Sequence, residues 1–265
     1  MIIYILITLS ISVAAFINLS PQFGTNPTQD QKRLYANYSN YKNGEFQNAE
    51  EFVMMTGDMP LSEFFKSDSN RIPNKDLIHE SIDLESFVDA EDHKIKISWI
   101  GHSAFILNID GNILLLDPML GQYAAPVPLP SLKRYSSKIA FSIDDIDIID
   151  AVIFSHDHYD HLDYSTVKQI KNKVKIFFVP YGVANHLIGW GVRQESIIEL
   201  NWDESANFNG IEIVCLPARH FSGRGPLNRN STLWCSWAIK SEYGKIYFSG
   251  DSGYGKHFKA IGEMH

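Results

Sequence analysis

Residues 155–163, SHDHYDHLD, place three histidines and three aspartates in nine positions. Imidazole nitrogens and carboxylate oxygens are ligands that suit zinc, manganese or iron. Alternate residues of an extended segment face the same way, so His156 and His158 can grip one ion. Asp160 and His161, beyond a turn, can serve a second ion beside it. His220, after IEIVCLPAR, and Asp251, after KIYFSG, offer the same chemistry later in the chain. A carboxylate such as Asp251 can bridge two ions with separate oxygens. A solvated acidic turn would account for one stray histidine, but not for three groups of donors that each follow an apolar run.

Such donors need rigid elements to aim them. The stretch 149–155, IDAVIFS, reads as a buried strand ending at the cluster. Upstream, KIKISWIGHSAFILNIDGNILLLDPML alternates at first, with Ile95, Ile97 and Trp99 on one side, then gives two apolar runs separated by Asp110-Gly111, a hairpin signal. LDYSTVKQIKN has Leu162, Val167 and Ile170 at helical spacing behind Asp163, an N-cap residue. VKIFFVP is a strand, and GVANHLIGWG a helix ending at glycine. IEIVCLPARH, STLWCSWAIK and KIYFSGD read as strands, the last two joined at Tyr243-Gly244. Trp234 and Trp237, three apart on a strand, face opposite sides. Hairpins mixed with βαβ units predict an α/β sandwich with helices on its outer faces.

A 265-residue chain that is 45% apolar can bury one sizeable core. Its net charge of -8 argues against a nucleic-acid partner, which would demand a basic surface. Cys215 and Cys235 sit in apolar runs and read as buried thiols. Residues 1–19, MIIYILITLSISVAAFINL, carry no charged side chain. They predict a membrane anchor, with a signal segment cleaved after Ala15 as the alternative. Lys32 and Arg33 lie beyond it, which weakly favours the cytoplasmic side for the main domain. Residues 20–93 are polar with turn signals, and the patches LYANYSNY and SEFFKS predict a strap packed on the domain that occupies 94–265.

HDHYDH fits the HxHxDH signature of the metallo-β-lactamase superfamily. Asp117 in LLLDP, His220 in PARH and Asp251 in FSGDSGYG extend the likeness. Within that superfamily WIGHSAFIL, NILLLDPML, PARHFSGRG, RNSTLWCSW and YFSGDSGYGKHFKAIGE resemble the phospholipase D group that hydrolyses N-acylphosphatidylethanolamine. The resemblance runs from about residue 95 to 263 and implies an αββα sandwich with two zinc ions. It places His156, His158 and His220 on the first zinc, Asp160 and His161 on the second, and Asp251 as the bridge. Asp117 becomes the carboxylate that orients the histidine loop. One departure stands out: the family pattern closes with a further histidine on a late strand, whereas this sequence stops at IGEMH. The resemblance therefore implies a sandwich incomplete at its C-terminal end. His257 and His265 match no ligand position and read as surface or capping residues.

Two metals about 3.5–4 Å apart would lower the pKa of a shared water and supply hydroxide for attack on phosphorus. Asp160 and Asp251 would moderate the metal charge. Among Arg219, Arg224 and Arg229, the last two are candidates for gripping a phosphate. His102 in GHSAF reads as a hydrogen-bonded structural histidine that could also line the cleft. The expected activity is zinc-dependent phosphodiester hydrolysis of a membrane phospholipid, of phospholipase D type. A lactonase of the same fold, or a non-catalytic metal-binding domain lacking its last ligand, are the alternatives.

Overall fold

The structure is a computed structural model that describes residues 1–50, 73–75, 77, 80–89, 94–136 and 138–265. The SEFFKS patch and the boundary at His93 lie outside the described residues. The chain opens with helix α1 (Ile2–Leu19), followed by α2 (Gln29–Tyr35) and a hairpin of β1 (Tyr41–Lys42) and β2 (Glu45–Phe46). Asn43 and Gly44 turn that hairpin with positive φ at both positions, as a tight two-residue turn requires. Tyr35, Tyr41 and Phe46 are buried against Leu233 and Trp234, so residues 29–46 pack on the rest of the molecule.

After α3 (Leu84–Val88) comes a six-stranded sheet of β3 (Ile95–Gly101), β4 (Ala104–Ile109), β5 (Asn112–Leu116), β6 (Ile149–Ile153), β7 (Val174–Pro180) and β8 (Ile197–Leu200), in that spatial order. The first three strands are antiparallel, and β5 to β8 are parallel. Asp110 and Gly111 form the β4–β5 turn, again with both φ positive. A second sheet of β9 (Ser205–Phe208), β10 (Ile211–Leu216), β11 (Ser236–Ser241) and β12 (Gly244–Phe248) is wholly antiparallel.

Both faces of the larger sheet are covered, which is why its central strands are apolar at almost every position. Leu114, Leu116, Ile153 and Phe178 face Ile213, Cys215, Trp237 and Ile239 of the second sheet. Leu115, Val152 and Phe177 point the other way, onto Val167 and Ile170 of α4 (Tyr164–Ile170) and Leu187 of α5 (Ala184–Gly189). Asp163 caps α4 by accepting from the Ser165 and Thr166 amides. On the far face of the second sheet, Ile261 of α6 (Lys256–Met264) packs with Val214, Leu216 and Ala238. The result is helix, sheet, sheet, helix: the αββα sandwich.

One strand expectation needs adjustment. STLWCSWAIK is a strand only from Ser236, because the Leu233 amide instead pairs with Tyr181 O and that of Cys235 with Ser155 O, both at the end of the larger sheet. Ile97 and Trp99 stay largely exposed, since β3 is an edge strand. Helix α1 has 18 residues, about 27 Å at 1.5 Å rise and so just short of a hydrocarbon core of about 30 Å. Among the described residues, no helix is long and apolar enough to cross a membrane. Cys215 and Cys235 are buried free thiols, and Trp234 and Trp237 fill different cores.

Trp237 is fully buried between the sheets and its indole N–H donates to Phe154 O at 3.1 Å. Trp237→Ala should cost about 3–5 kcal/mol in chemical unfolding. A loss below about 1 kcal/mol would contradict the central place of this indole in the intersheet core.

Candidate metal centre

The carboxyl ends of β5 and β6, central strands that run parallel, lie at one end of the larger sheet. Asp117 follows β5 and His156 follows β6 closely. The ends of β10 and β12, both antiparallel to β11, bring His220 and Asp251 from the second sheet. Gly250, at φ +52, permits the last approach: a Cβ there would stand 2.7 Å from Ser155 Cβ.

Asp117 is completely buried and its carboxylate is fully used. It accepts from the Ser155 amide at 2.7 Å, from the Ser155 hydroxyl, and from His161 Nδ1 at 2.7 Å. Two tautomers follow. His161 carries its proton on Nδ1, leaving Nε2 to face the cluster. The Ser155 hydroxyl has given its one proton to a carboxylate, so it accepts from His156 Nδ1 at 2.9 Å. That leaves His156 Nε2 as a lone pair. It lies 2.9 Å from His158 Nδ1, which is 3.2 Å from His220 Nε2. Three imidazole nitrogens thus converge. Beside them, His161 Nε2 lies 3.1 Å from Asp251 Oδ1 and 3.9 Å from Asp160 Oδ2.

The electrostatics differ between these two groups. Burial, then the neighbouring histidines, pushes His156 far below the ordinary imidazole value. Burial and His158 push His220 down to about 4. Both rings are neutral near pH 7, with lone pairs free to bind. Burial also works against a proton on His161, but Asp117 and then Asp251 hold it up at about 10, so without an ion Nε2 carries a second proton that a bound metal would displace. Burial alone would raise Asp160, yet the His102 hydrogen bond and the His161 charge hold it well below the usual carboxylate range. Asp251 is likewise lowered against its burial, chiefly by the close approach and charge of His161. The second group is a nest of carboxylates kept ionised, a place that favours a cation.

The donors fit divalent metal ions on two observations. His161 Nε2 is buried yet makes no bond with hydrogen-bonding geometry, an orphan that coordination would satisfy. The nitrogens of His156, His158 and His220 also lie within 4.8 Å of one another. Donors about 2.0–2.1 Å from a tetrahedral ion stand roughly 3.3 Å apart, close to the spacings of this cluster.

Further residues hold the ligand loop. Asp157, the residue between the two histidines, turns away from the cluster and is buried. It accepts from the Gly223 amide, the Thr232 hydroxyl and His186 Nε2 at 2.8, 2.9 and 3.3 Å. His186 Nδ1 in turn accepts from the Thr25 amide. Asn48 pairs with both the amide and the carbonyl of His220, at 3.0 and 2.8 Å. The sequence carries no local sign of that clamp, because Asn48 lies 172 positions away in a polar stretch. His102 Nε2 approaches Asp160 Oδ2 to 3.0 Å.

Arg224, expected as a phosphate-binding candidate, is corrected. It is buried, donating to Gln22 O, Asp157 O and Leu162 O at 2.6–2.9 Å, with its guanidinium 4.1 Å from the Tyr159 ring centre. A side chain so committed to backbone carbonyls braces the ligand loop instead. Arg229 is exposed, its guanidinium 4.4 Å above Phe221, whose ring is 4.6 Å from that of His158. His257 meets Ser252 Oγ at 2.8 Å, away from the cluster.

Fold and cluster together define a metal-centred αββα sandwich. The family described as the Beta-lactamase superfamily domain matches residues 112–265. The N-acyl-phosphatidylethanolamine-hydrolyzing phospholipase D 1 of Caenorhabditis elegans is 32% identical, over 84% of this chain and 68% of its own length. An uncharacterised Mycobacterium tuberculosis protein is 43% identical, over 65% of this chain and 46% of its own, so the chain spans less than half of that relative. Among solved structures, isothiocyanate hydrolase from Delia radicum gut bacteria overlays with a TM-score of 0.51 at 22% identity, covering 63% of this chain and 67% of that one. That likeness speaks to the fold alone. The chain belongs to the metallo-β-lactamase superfamily of hydrolases.

Because Asp117 sets the tautomers of two donor histidines, Asp117→Asn should lower metal affinity about 10–100-fold. Competition with a chelator measures this; an unchanged affinity would rule out the orienting role.

Proposed function

We propose that the chain hydrolyses a phosphodiester with bound zinc, and that its substrate is a membrane phospholipid of the N-acylphosphatidylethanolamine kind. The observation that carries this reading is the adjacency of two unlike donor groups. One is three neutral imidazoles and the other is Asp160, His161 and Asp251, with the His156 and His161 ring centres 4.2 Å apart. Nitrogen and carboxylate donors of this kind suit zinc. A pair of divalent ions, when bound, supplies a water of lowered pKa and positive charge toward phosphoryl oxygens.

The chain's own residues divide the remaining work. His156, His158 and His220 would hold one ion, Asp160 and His161 the other, with Asp251 between them. Asp160 and Asp251 are the catalytic carboxylates in this reading, offsetting part of the metal charge at the reacting centre. Asp117, Asp157, Arg224 and Asn48 keep the donors in place. Arg229, exposed beside Phe221, is available to a substrate phosphate.

The C. elegans relative bears a phospholipase D name, which supports the substrate class. Helix α1 supports a membrane location: its apolar side chains are mostly exposed, from Ile3 to Leu19. Its base is tied to the centre, since Arg224 links Gln22 O to the carbonyls of Asp157 and Leu162, and Trp190 Nε1 donates to Pro21 O at 2.7 Å. A helix lying in the lipid interface would thus keep the ligand loop near its substrate.

The test is hydrolysis of N-acylphosphatidylethanolamine vesicles by the zinc-loaded chain in 18O-labelled water, with a lactone assayed in parallel. Phosphatidic acid carrying one labelled oxygen is expected, and His158→Ala should reduce the rate by roughly 100-fold or more, given that even outer residues of metal sites cost 10–100-fold. Opening of the lactone alone, or hydrolysis indifferent to His158, would overturn the proposal.

A further inference from the structure

We propose that the β5–β6 loop, together with residues 73–75, forms a second binding site that takes a phosphate group, apart from the metal centre. The loop borders a cleft of about 480 Å3, within the size range of small-ligand sites. Lys75, Lys133 and Arg134 line it, alongside Gln122, Ser131 and Tyr135. No Asp or Glu stands among the described residues of its wall. The chain as a whole carries eight more carboxylates than cationic side chains, so this wall reverses the prevailing charge. Neither lysine meets a carboxylate among the described residues.

Backbone pairing shapes the loop. Ala124 N donates to Leu132 O at 3.0 Å and Arg134 N to Gln122 O at 2.9 Å, with Tyr123 opposite Lys133. Those bonds fix where Lys133 and Arg134 leave the main chain. Arg134 is the decisive side chain. Its Nε donates to Ser136 O at 3.2 Å and its Nη1 to Leu120 O at 2.8 Å, which orients the guanidinium. A guanidinium has five N–H donors, so three remain. No acceptor among the described residues takes them. The side chain is half-buried, and burial lowers its pKa, as for a cation partly withdrawn from water. The charge of Asp163 reaches it, but that carboxylate is spent on the Gly121 amide and on Ser165 and Thr166. A lone surface lysine needs no ligand. An oriented arginine with unused donors, beside two ammonium groups, matches the fork and the charge of a phosphate. The cleft is also tied to the metal loop, because Leu120 N and Gly121 N donate to Thr166 Oγ1 and Asp163 Oδ2, both at 3.0 Å. Asp163 lies two positions past His161. An anionic lipid headgroup seated here would hold the ends of β5 and β6 at a membrane surface; free phosphate offers the same chemistry in solution.

The test uses the full chain stripped of metal by a chelator, so that the metal centre cannot supply the binding. Inorganic phosphate is titrated and followed by 31P NMR. Lys75 and Lys133 are changed together to glutamine, and Arg134 to lysine, which keeps the charge and loses the fork. Lys259→Gln on α6, in the opposite outer layer, is the control for charge alone. Both cleft lysines are exposed, so the double variant should fold even if Arg134→Lys loosens the loop; circular dichroism checks this. Wild type should bind phosphate saturably, and the double lysine variant and Arg134→Lys about tenfold or more weakly, the scale of one charge-assisted hydrogen bond. Lys259→Gln should bind as wild type does. Sedimentation with phosphatidylcholine vesicles, with and without phosphatidic acid, separates the two sources. A gain from phosphatidic acid that the double lysine variant loses assigns a lipid headgroup; saturable phosphate binding without that gain assigns a soluble phosphate. Phosphate binding that does not saturate, affinity within about twofold of wild type in the double lysine variant, or an equal loss in Lys259→Gln would overturn the site. None of these outcomes touches zinc binding or hydrolysis, so the metal centre stands or falls separately.

Discussion

A buried carboxylate is tolerable only when its oxygens meet donors, and Asp117 meets three of them. That requirement binds the ends of β5 and β6 together, because Ser155 supplies two of the donors. It also decides which nitrogen of two histidines looks inward. His161 gives its Nδ1 proton directly to Asp117, and His156 gives its own to the hydroxyl that Asp117 has already engaged. Remove the carboxylate and neither ring has a reason to present Nε2. The metal-binding chemistry of the loop therefore begins in a residue that is not itself a ligand.

The loop is held as firmly from its other side. Asp157 turns inward to Gly223, Thr232 and His186, while Arg224 takes the loop's carbonyls at Asp157 and Leu162. His186 and Arg224 also contact the segment between α1 and α2, at Thr25 and Gln22. Asn48, just past β2, fixes the backbone of His220. The polar N-terminal stretch is consequently part of the centre's support. Gly24, at φ +73, shows how tightly it sits: a Cβ there would fall 2.1 Å from His186 Nδ1.

Much of this architecture is legible in the sequence. Donor residues behind apolar runs locate the cluster, since strand ends hold metal ligands rigidly. Asp110-Gly111 announces a hairpin because few other pairs accept two positive φ values, and Asp163 announces the start of α4. Residues whose partners are distant in sequence are less legible. Arg224 in a glycine-rich loop looks like a free phosphate ligand, and only the fold shows it buried under Tyr159. His102 reads as a hydrogen-bonded histidine, but nothing local reveals that its partner is Asp160. SANF at β9 alternates polar and apolar residues over only four positions, too short a run to announce a strand, so its place in the second sheet depends on pairing with β10.

The central claim is that two adjoining donor groups hold two ions at the strand ends. Diffraction from zinc-loaded crystals, recorded on both sides of the zinc absorption edge, tests it most directly. Two anomalous peaks about 3.5–4 Å apart are predicted, one among His156, His158 and His220 and one among Asp160, His161 and Asp251. Peaks elsewhere on the surface, with none at these side chains, would contradict it.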